Sequence, residues 1–261
     1  MNVKEYFRNP LGEGKPLILA HRGYRRGTLD GVPLEGLENT LQSFRAAREL
    51  GVTHLETDLR LSADGEILCF HDPILDRVTD RTGVVSRLSW DEIRTARVRG
   101  RVPVPRLADV VDLLPDARFN LDVKDAAVAQ PLAALIEEKN LQDRVLVTSF
   151  SDGVRKAVTN RVAWPVATSA GKASTAALLF GKALRPGWLE SLLAGVDAFQ
   201  VPEKSGRITV VTREFVERAH ELGKQVHVWT VNEEADMTRL LDLGVDGLVT
   251  DCPEVALRLL G

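Results

Sequence analysis

The sequence predicts an α/β fold, a (β/α)8 barrel of the TIM type. Short apolar runs alternate with amphipathic stretches eight times along the chain. The runs are rich in Val, Leu and Ile without polar alternation, as in strands buried on both faces. Titratable residues close nearly every run, and parallel α/β folds build their sites at the carboxyl ends of strands. A doubly wound sheet is the alternative. It is weakened because no G-x-G-x-x-G follows any run.

The candidate strands cover residues 17–21, 53–60, 118–124, 145–149, 162–168, 197–201, 225–230 and 245–250. An extra run, 66–71, follows the second strand after an Asp64-Gly65 turn and predicts a hairpin partner. Helical periodicity occupies 39–50, 128–139, 187–193, 213–222 and 233–243. In the first of these, Asn39 and Gln42 have the spacing of a capping box. Gly51, Gly195, Gly223 and Gly244 stand just past helix ends, where a left-handed residue is needed. Residues 73–107 have room for a short capping segment with one helix at 90–97. No linker divides the chain, so one domain over residues 1–261 is expected.

The 261 residues are 44% hydrophobic and 27% charged with a net charge of −3, which excludes disorder as the main state and a basic nucleic-acid surface. No stretch reaches the roughly 20 apolar residues of a membrane span, and no leader pattern opens the chain. Two cysteines, Cys69 and Cys252, cannot build a disulfide scaffold and suit a reducing compartment. A cytoplasmic protein without membrane anchoring is the expectation.

Glu56 and Asp58 are one residue apart in a strand, so their carboxylates share a face about 7 Å apart along the chain. Two anions in a barrel mouth require a positive partner. A hard divalent cation, Mg2+ or Ca2+, suits oxygen donors, and Asp122 offers a third carboxylate from another strand. The alternative is a structural network with Arg60 and Lys124. His21 and His71 end their runs and can work as acid and base near neutral pH. A two-residue hairpin would pair Asp58 with His71. Arg22 and Lys124 suit a phosphate, the first as a fork and the second as a point charge. His54, His220 and His227 read as structural. Trp229 is a candidate wall for glycerol or a quaternary ammonium group, with core packing the alternative. Trp188 and Gln200 are further candidate pocket residues.

These segments together resemble the glycerophosphodiester phosphodiesterase family. They are Ala20-His21-Arg22-Gly23, Glu38-Asn39-Thr40, Glu56-Thr57-Asp58, Asp64-Gly65, Phe70-His71-Asp72, Asn120-Leu121-Asp122-Val123-Lys124, Ser149-Phe150, Trp229-Thr230-Val231-Asn232 and 246–253. The resemblance implies a distorted barrel that hydrolyses diesters such as glycerophosphocholine and glycerophosphoethanolamine to sn-glycerol 3-phosphate and an alcohol. It further implies His21 and His71 as the acid/base pair and Glu56, Asp58 and Asp122 as ligands of one divalent cation. Arg22, Lys124 and Glu38 would contact substrate, and a cyclic phosphate would form on the way. Two departures stand out. Asp122 replaces the usual Glu, and the loop 24–37 is longer than usual and could shape the pocket for the alcohol. Lysophospholipase D or phospholipase C-like activity on lipids is the nearest alternative, with 176–180 as the apolar run that would serve it. A metal-dependent sugar isomerase or lyase is more distant.

Overall fold

The computed structural model describes residues 4–181 and 186–261. Eight parallel strands form a barrel: β1 (Leu17–Ala20), β2 (His54–Leu61), β4 (Arg118–Val123), β5 (Val145–Thr148), β6 (Ala167–Thr168), β7 (Ala198–Pro202), β8 (Gln225–Trp229) and β9 (Gly247–Thr250). Their order is β6-β5-β4-β2-β1-β9-β8-β7. The ring closes at a single parallel bridge between Ser169 and Ala198, with Ala170 N donating to Ala198 O at 2.8 Å. That narrow seam is the distortion of the barrel. β6 is two residues long instead of the seven expected from 162–168, because the stretch before it holds a bend at 163–164 followed by Pro165.

β3 (Ile67–Cys69) pairs antiparallel with β2, as the hairpin signal predicts, but its register differs by one residue. Leu59 faces Cys69, and Phe70 N donates to Asp58 O, so Phe70 and not His71 stands opposite Asp58. The loop has three residues, with Gly65 left-handed at φ 94° and Ser62 N bonded to Glu66 O. A left-handed third residue closes a bulged loop, which absorbs the residue that a two-residue turn lacks.

Helices follow the strands: α1 (Leu41–Glu49), α2 (Leu107–Leu113), α3 (Ala129–Glu138), α4 (Asp152–Thr159), α5 (Lys172–Phe180), α6 (Pro186–Leu192), α7 (Arg213–Glu221), α8 (Glu234–Asp242) and α9 (Pro253–Leu260). The cap of α1 is Thr40, whose hydroxyl accepts from Ser43 N while Ser43 Oγ accepts from Thr40 N. The box therefore lies one residue beyond Asn39 and Gln42, and frees Asn39 for the site. Gly51, Gly195, Gly223 and Gly244 all have positive φ.

Three apolar layers hold the site in place. Strand outer faces and helices form the main core, including Phe44, Phe119, Leu132, Phe199 and Phe215. The base of the barrel is filled by Leu19, Leu146 and Val249, with Tyr6 and Phe7 plugging it from the Glu5–Phe7 turn. A third cluster joins Leu29, Leu34 and Leu37 to Phe70, Leu75, Val85 and Val102. The long loop and the capping segment thus pack on each other, beside the mouth. The segment's helix is one turn, Trp90–Ile93, and not the eight residues expected.

Candidate active site

One cavity of about 680 Å³ opens at the carboxyl ends of the strands. Its wall includes His21, Arg22, Glu56, Asp58, His71, Asp122, Lys124 and Trp229, eight of the nine residues predicted from sequence. The ninth, Glu38, is buried behind Arg22, Arg25 and Arg77 and is not part of the wall.

Register explains the acidic cluster. β2 and β4 pair Glu56 with Asn120 and Asp58 with Asp122, so all four side chains share one face. Lys124 Nζ lies 2.8 Å from Asp58 Oδ1 and also binds Asp122. Asp58 Oδ2 accepts from Asn39 Nδ2 at 2.9 Å and lies 3.1 Å from Arg22 Nε. Burial opposes the charge on Asp58, yet Lys124 and Arg22 outweigh it and hold the carboxyl below its ordinary range. Glu56 has less help. Burial and then Asp58 push its carboxyl up to about 7, with His21 and Arg22 only partly offsetting them. Burial raises Asp122 as well, against the pull of Lys124.

Backbone geometry delivers Arg22 to this cluster. It is left-handed, at φ 56°, and its N–H donates to Glu56 Oε2 at 2.9 Å. Its carbonyl accepts from Asn39 N. Gly23 must be glycine, since a Cβ there would stand 2.4 Å from Ser43 Oγ.

The two histidines are held alike. His21 Nδ1 lies 2.8 Å from Asp251 Oδ1, and His71 Nδ1 lies 2.7 Å from Asp72 Oδ1. Asp251 also binds Arg25 and Asn232, and Asp72 binds Arg77. Burial opposes both negative charges, but these partners keep both carboxyls below their usual range. Among the described residues Nε2 of each histidine makes no hydrogen bond, and both rings line the cavity. Glu38 joins the two units through Arg25 on one side and Arg77 on the other. The arginine of the long loop therefore braces His21 and does not line the pocket.

Sequence reasoning missed Asn39, Asn120 and Arg77, placed Arg25 at the mouth only as part of the loop that could shape the alcohol pocket, and left Asp72 and Asp251 without a role. Asn120 was detectable, because it precedes Asp122 by two residues just as Glu56 precedes Asp58. Trp188 is half exposed and lies off the cavity wall, whereas Gln200 lies on it. The run 176–180 splits, with Leu178 in the core and Ala176, Leu179 and Phe180 at the mouth.

Among the described residues no group of three or more His, Cys, Asp and Glu stands close enough together to cage a metal ion. The donor chemistry nevertheless fits a hard cation. Glu56 lacks a sufficient positive partner, and Asn120 Oδ1 is buried on the same face without a hydrogen bond. An ion bound to Asp58 and Asp122 would compete with Lys124 for the same oxygens.

A parallel barrel whose mouth gathers acids, two histidines and two cations has the groups that a phosphodiester hydrolase needs. The Glycerophosphoryl diester phosphodiesterase family matches residues 21–255, and the chain belongs to that family. It is 36% identical over 245 residues to a Mycobacterium tuberculosis protein named "Probable glycerophosphodiester phosphodiesterase 2", covering 92% of this chain and 89% of that one. A Caldanaerobacter subterraneus glycerophosphodiester phosphodiesterase is 29% identical over 261 residues, covering 94% and 98%. The fold matches an Oleispira antarctica phosphodiesterase solved with the product sn-glycerol-3-phosphate, at TM-score 0.72 and 21% identity, covering 94% and 96%.

Proposed function

We propose that this protein hydrolyses glycerophosphodiesters to sn-glycerol 3-phosphate and an alcohol, with residues 1–261 working as one catalytic domain. The observation that carries this reading is the pair of aspartate-held histidines facing one cavity with Arg22 and Lys124. Arg22 and Lys124 bind the phosphate oxygens. One histidine takes the proton of a glycerol hydroxyl next to the ester while the other protonates the departing alcohol. A cyclic phosphate results, and water opens it with the two roles exchanged. Holding the hydroxyl beside the phosphorus gives the advantage of an intramolecular attack. Asp251 and Asp72 fix the ring orientations, and Glu38 aligns the arginines behind them. Trp229 forms part of the cavity wall beside Phe150, on the side of the departing alcohol.

Glu56, Asp58 and Asp122 would hold one divalent cation, Mg2+ or Ca2+, which when bound supplies neutralisation of phosphate charge. Among the described residues no helix is long and apolar enough to cross a membrane. The cysteines Cys69 and Cys252 are buried and unpaired, which supports placement in the cytoplasm.

The test is release of glycerol 3-phosphate from glycerophosphodiesters, with chelator and then with each cation restored. Activity is expected to vanish with chelator and return with one of the ions. Full turnover in chelator removes the metal from the account. A diester lacking both free glycerol hydroxyls is expected to resist cleavage, and equal cleavage rules out the cyclic phosphate.

A second reading, hydrolysis of lysophospholipids, is favoured by one observation. Phe150, Phe180 and Ile208 line the mouth at 50%, 67% and 49% exposure, an apolar rim that an acyl chain could follow. Side-by-side assay of glycerophosphocholine and lysophosphatidylcholine separates the two readings.

A further inference from the structure

Away from Glu56, Asp58 and Asp122, the described cavity wall bears no carboxylate. It bears one charged side chain on that side, Lys172, at the first turn of α5. The backbone N of Lys172 donates to Phe150 O at 2.9 Å, which ties it to the end of β5. Among the described residues no carboxylate pairs with its ammonium group.

The acids that the topology brings to this rim are engaged elsewhere. Asp125 pairs with Arg60 at 2.7 Å and Glu203 with Arg239 at 2.8 Å. Asp152 accepts from Ser174 Oγ at 2.6 Å and from Gly171 N. Residues 182–185 read Lys-Ala-Leu-Arg, so that stretch adds no acid.

The wall does offer aromatic surface. Phe150 is half exposed and meets Trp229 edge to face, with centroids 5.8 Å apart. Such a pair is the natural seat for a quaternary ammonium group. Here the seat already has cations beside it. Lys172 Nζ lies 5.1 Å from the Phe150 centroid and Lys124 Nζ lies 5.7 Å from it. The charge of Lys124 is offset by Asp58 and Asp122, so a further ammonium at this ring would meet Lys172 as the uncompensated like charge.

We propose that the site selects diesters whose leaving alcohol carries no positive charge, and that Lys172 is the residue that makes the choice. This rests on the phosphodiesterase reading above. A choline or ethanolamine ester pays the repulsion when its head group enters beside Phe150, whereas a glycerol ester does not. A cation seated on the Phe150 ring stands within roughly 10 Å of Lys172 Nζ, and like charges at that range near a protein surface correspond to at least about fivefold in a rate ratio. Because the repulsion acts through partly exposed groups, salt weakens it.

The experiment measures kcat/KM of the full chain for glycerophosphoglycerol and glycerophosphocholine at low and high NaCl. It does so for the wild type, Lys172→Gln and Lys172→Glu. The ratio separates specificity from folding, since a poorly folded variant loses both rates equally. The wild type is expected to favour glycerophosphoglycerol at least about fivefold at low salt, with the ratio falling toward one as salt rises. Lys172→Gln should narrow the preference and Lys172→Glu should reverse it. Equal use of both esters by the wild type at low salt, or a ratio that neither variant moves, overturns the proposal. Hydrolysis of neither ester overturns the phosphodiesterase reading itself.

Discussion

Four histidines sit on or just beyond strands of the sheet, and the two ends of the barrel treat them in opposite ways. At the mouth, His21 and His71 are partly exposed and each meets a carboxylate through Nδ1. Toward the base, His54 and His227 are buried. His54 Nε2 lies 2.8 Å from Tyr6 O, and His227 sits between Gln200 and Gln225. Burial pushes His54 down to about 4 and His227 down to about 3, so both are neutral core residues. The same side chain is partly exposed and paired with a carboxylate at one end, and buried and neutral at the other.

The sharpest break of this comparison is substitution of the mouth pair. His21→Ala or His71→Ala should each lower kcat by about 10²–10⁴, the usual worth of a general acid or base, with little change in melting temperature. His227→Ala should do the reverse, leaving a buried void and a lower melting temperature while the phosphate-facing groups remain. If His227→Ala costs as much kcat as His21→Ala at equal folded fraction, the division between mouth and base is wrong.

A smaller step loosens the rings instead of removing them. Asp251→Asn and Asp72→Asn keep the shape but lose the charge that holds each imidazole. Losses of about ten- to a hundredfold in kcat are expected, with KM moving less. Rates unchanged in both variants would mean the aspartates are only structural.

Both ends of the barrel were partly legible in the sequence. The eight strands, the hairpin and the charged residues at strand ends follow from periodicity and from where parallel barrels place their sites. The braces were not legible, because Arg25, Arg77, Asp72 and Asp251 meet only through tertiary packing of the long loop and capping segment. No local pattern says that a surface-looking arginine turns inward. The hairpin register failed for a local reason, since Asp64-Gly65 suits both a two-residue turn and a bulged three-residue loop. The asparagine before Thr40 was read as a cap, and only the strand beside it shows that its carboxamide belongs to Asp58.

The acidic cluster sharpens the contrast through stability. The Glu56 carboxyl is raised in the native state, so its ionised form is the disfavoured one. The cost is full above about pH 7 and vanishes below the unfolded value near 4.5. Metal-free Glu56→Gln should therefore exceed metal-free wild type in stability at pH 8, by about 3 kcal/mol at most. The gap should close toward pH 4.5, and should also shrink when Mg2+ or Ca2+ is added. Denaturant titrations with and without the ion measure it. A gap independent of pH would remove the carboxylate repulsion from the account.

The base of the barrel predicts the opposite sign. His54 and His227 have folded values below their unfolded 6.5, so between pH 6.5 and 4 the unfolded chain binds protons that the native one does not. Each should lower stability by about 1.4 kcal/mol per pH unit as pH falls through that window. His227→Gln should remove one such slope, which unfolding curves at several pH values read directly.

The division of labour between His21 and His71 is tested most directly with two leaving groups. The alanine variant of each is assayed on glycerophosphoglycerol and on a glycerol phosphodiester of p-nitrophenol, whose leaving group needs no proton. Both variants should fail on the first substrate, and one of them, the one lacking the acid, should recover most of its rate on the second. Wild-type turnover of glycerophosphoglycerol by either variant, or identical behaviour of the two variants on both substrates, would contradict the paired acid and base.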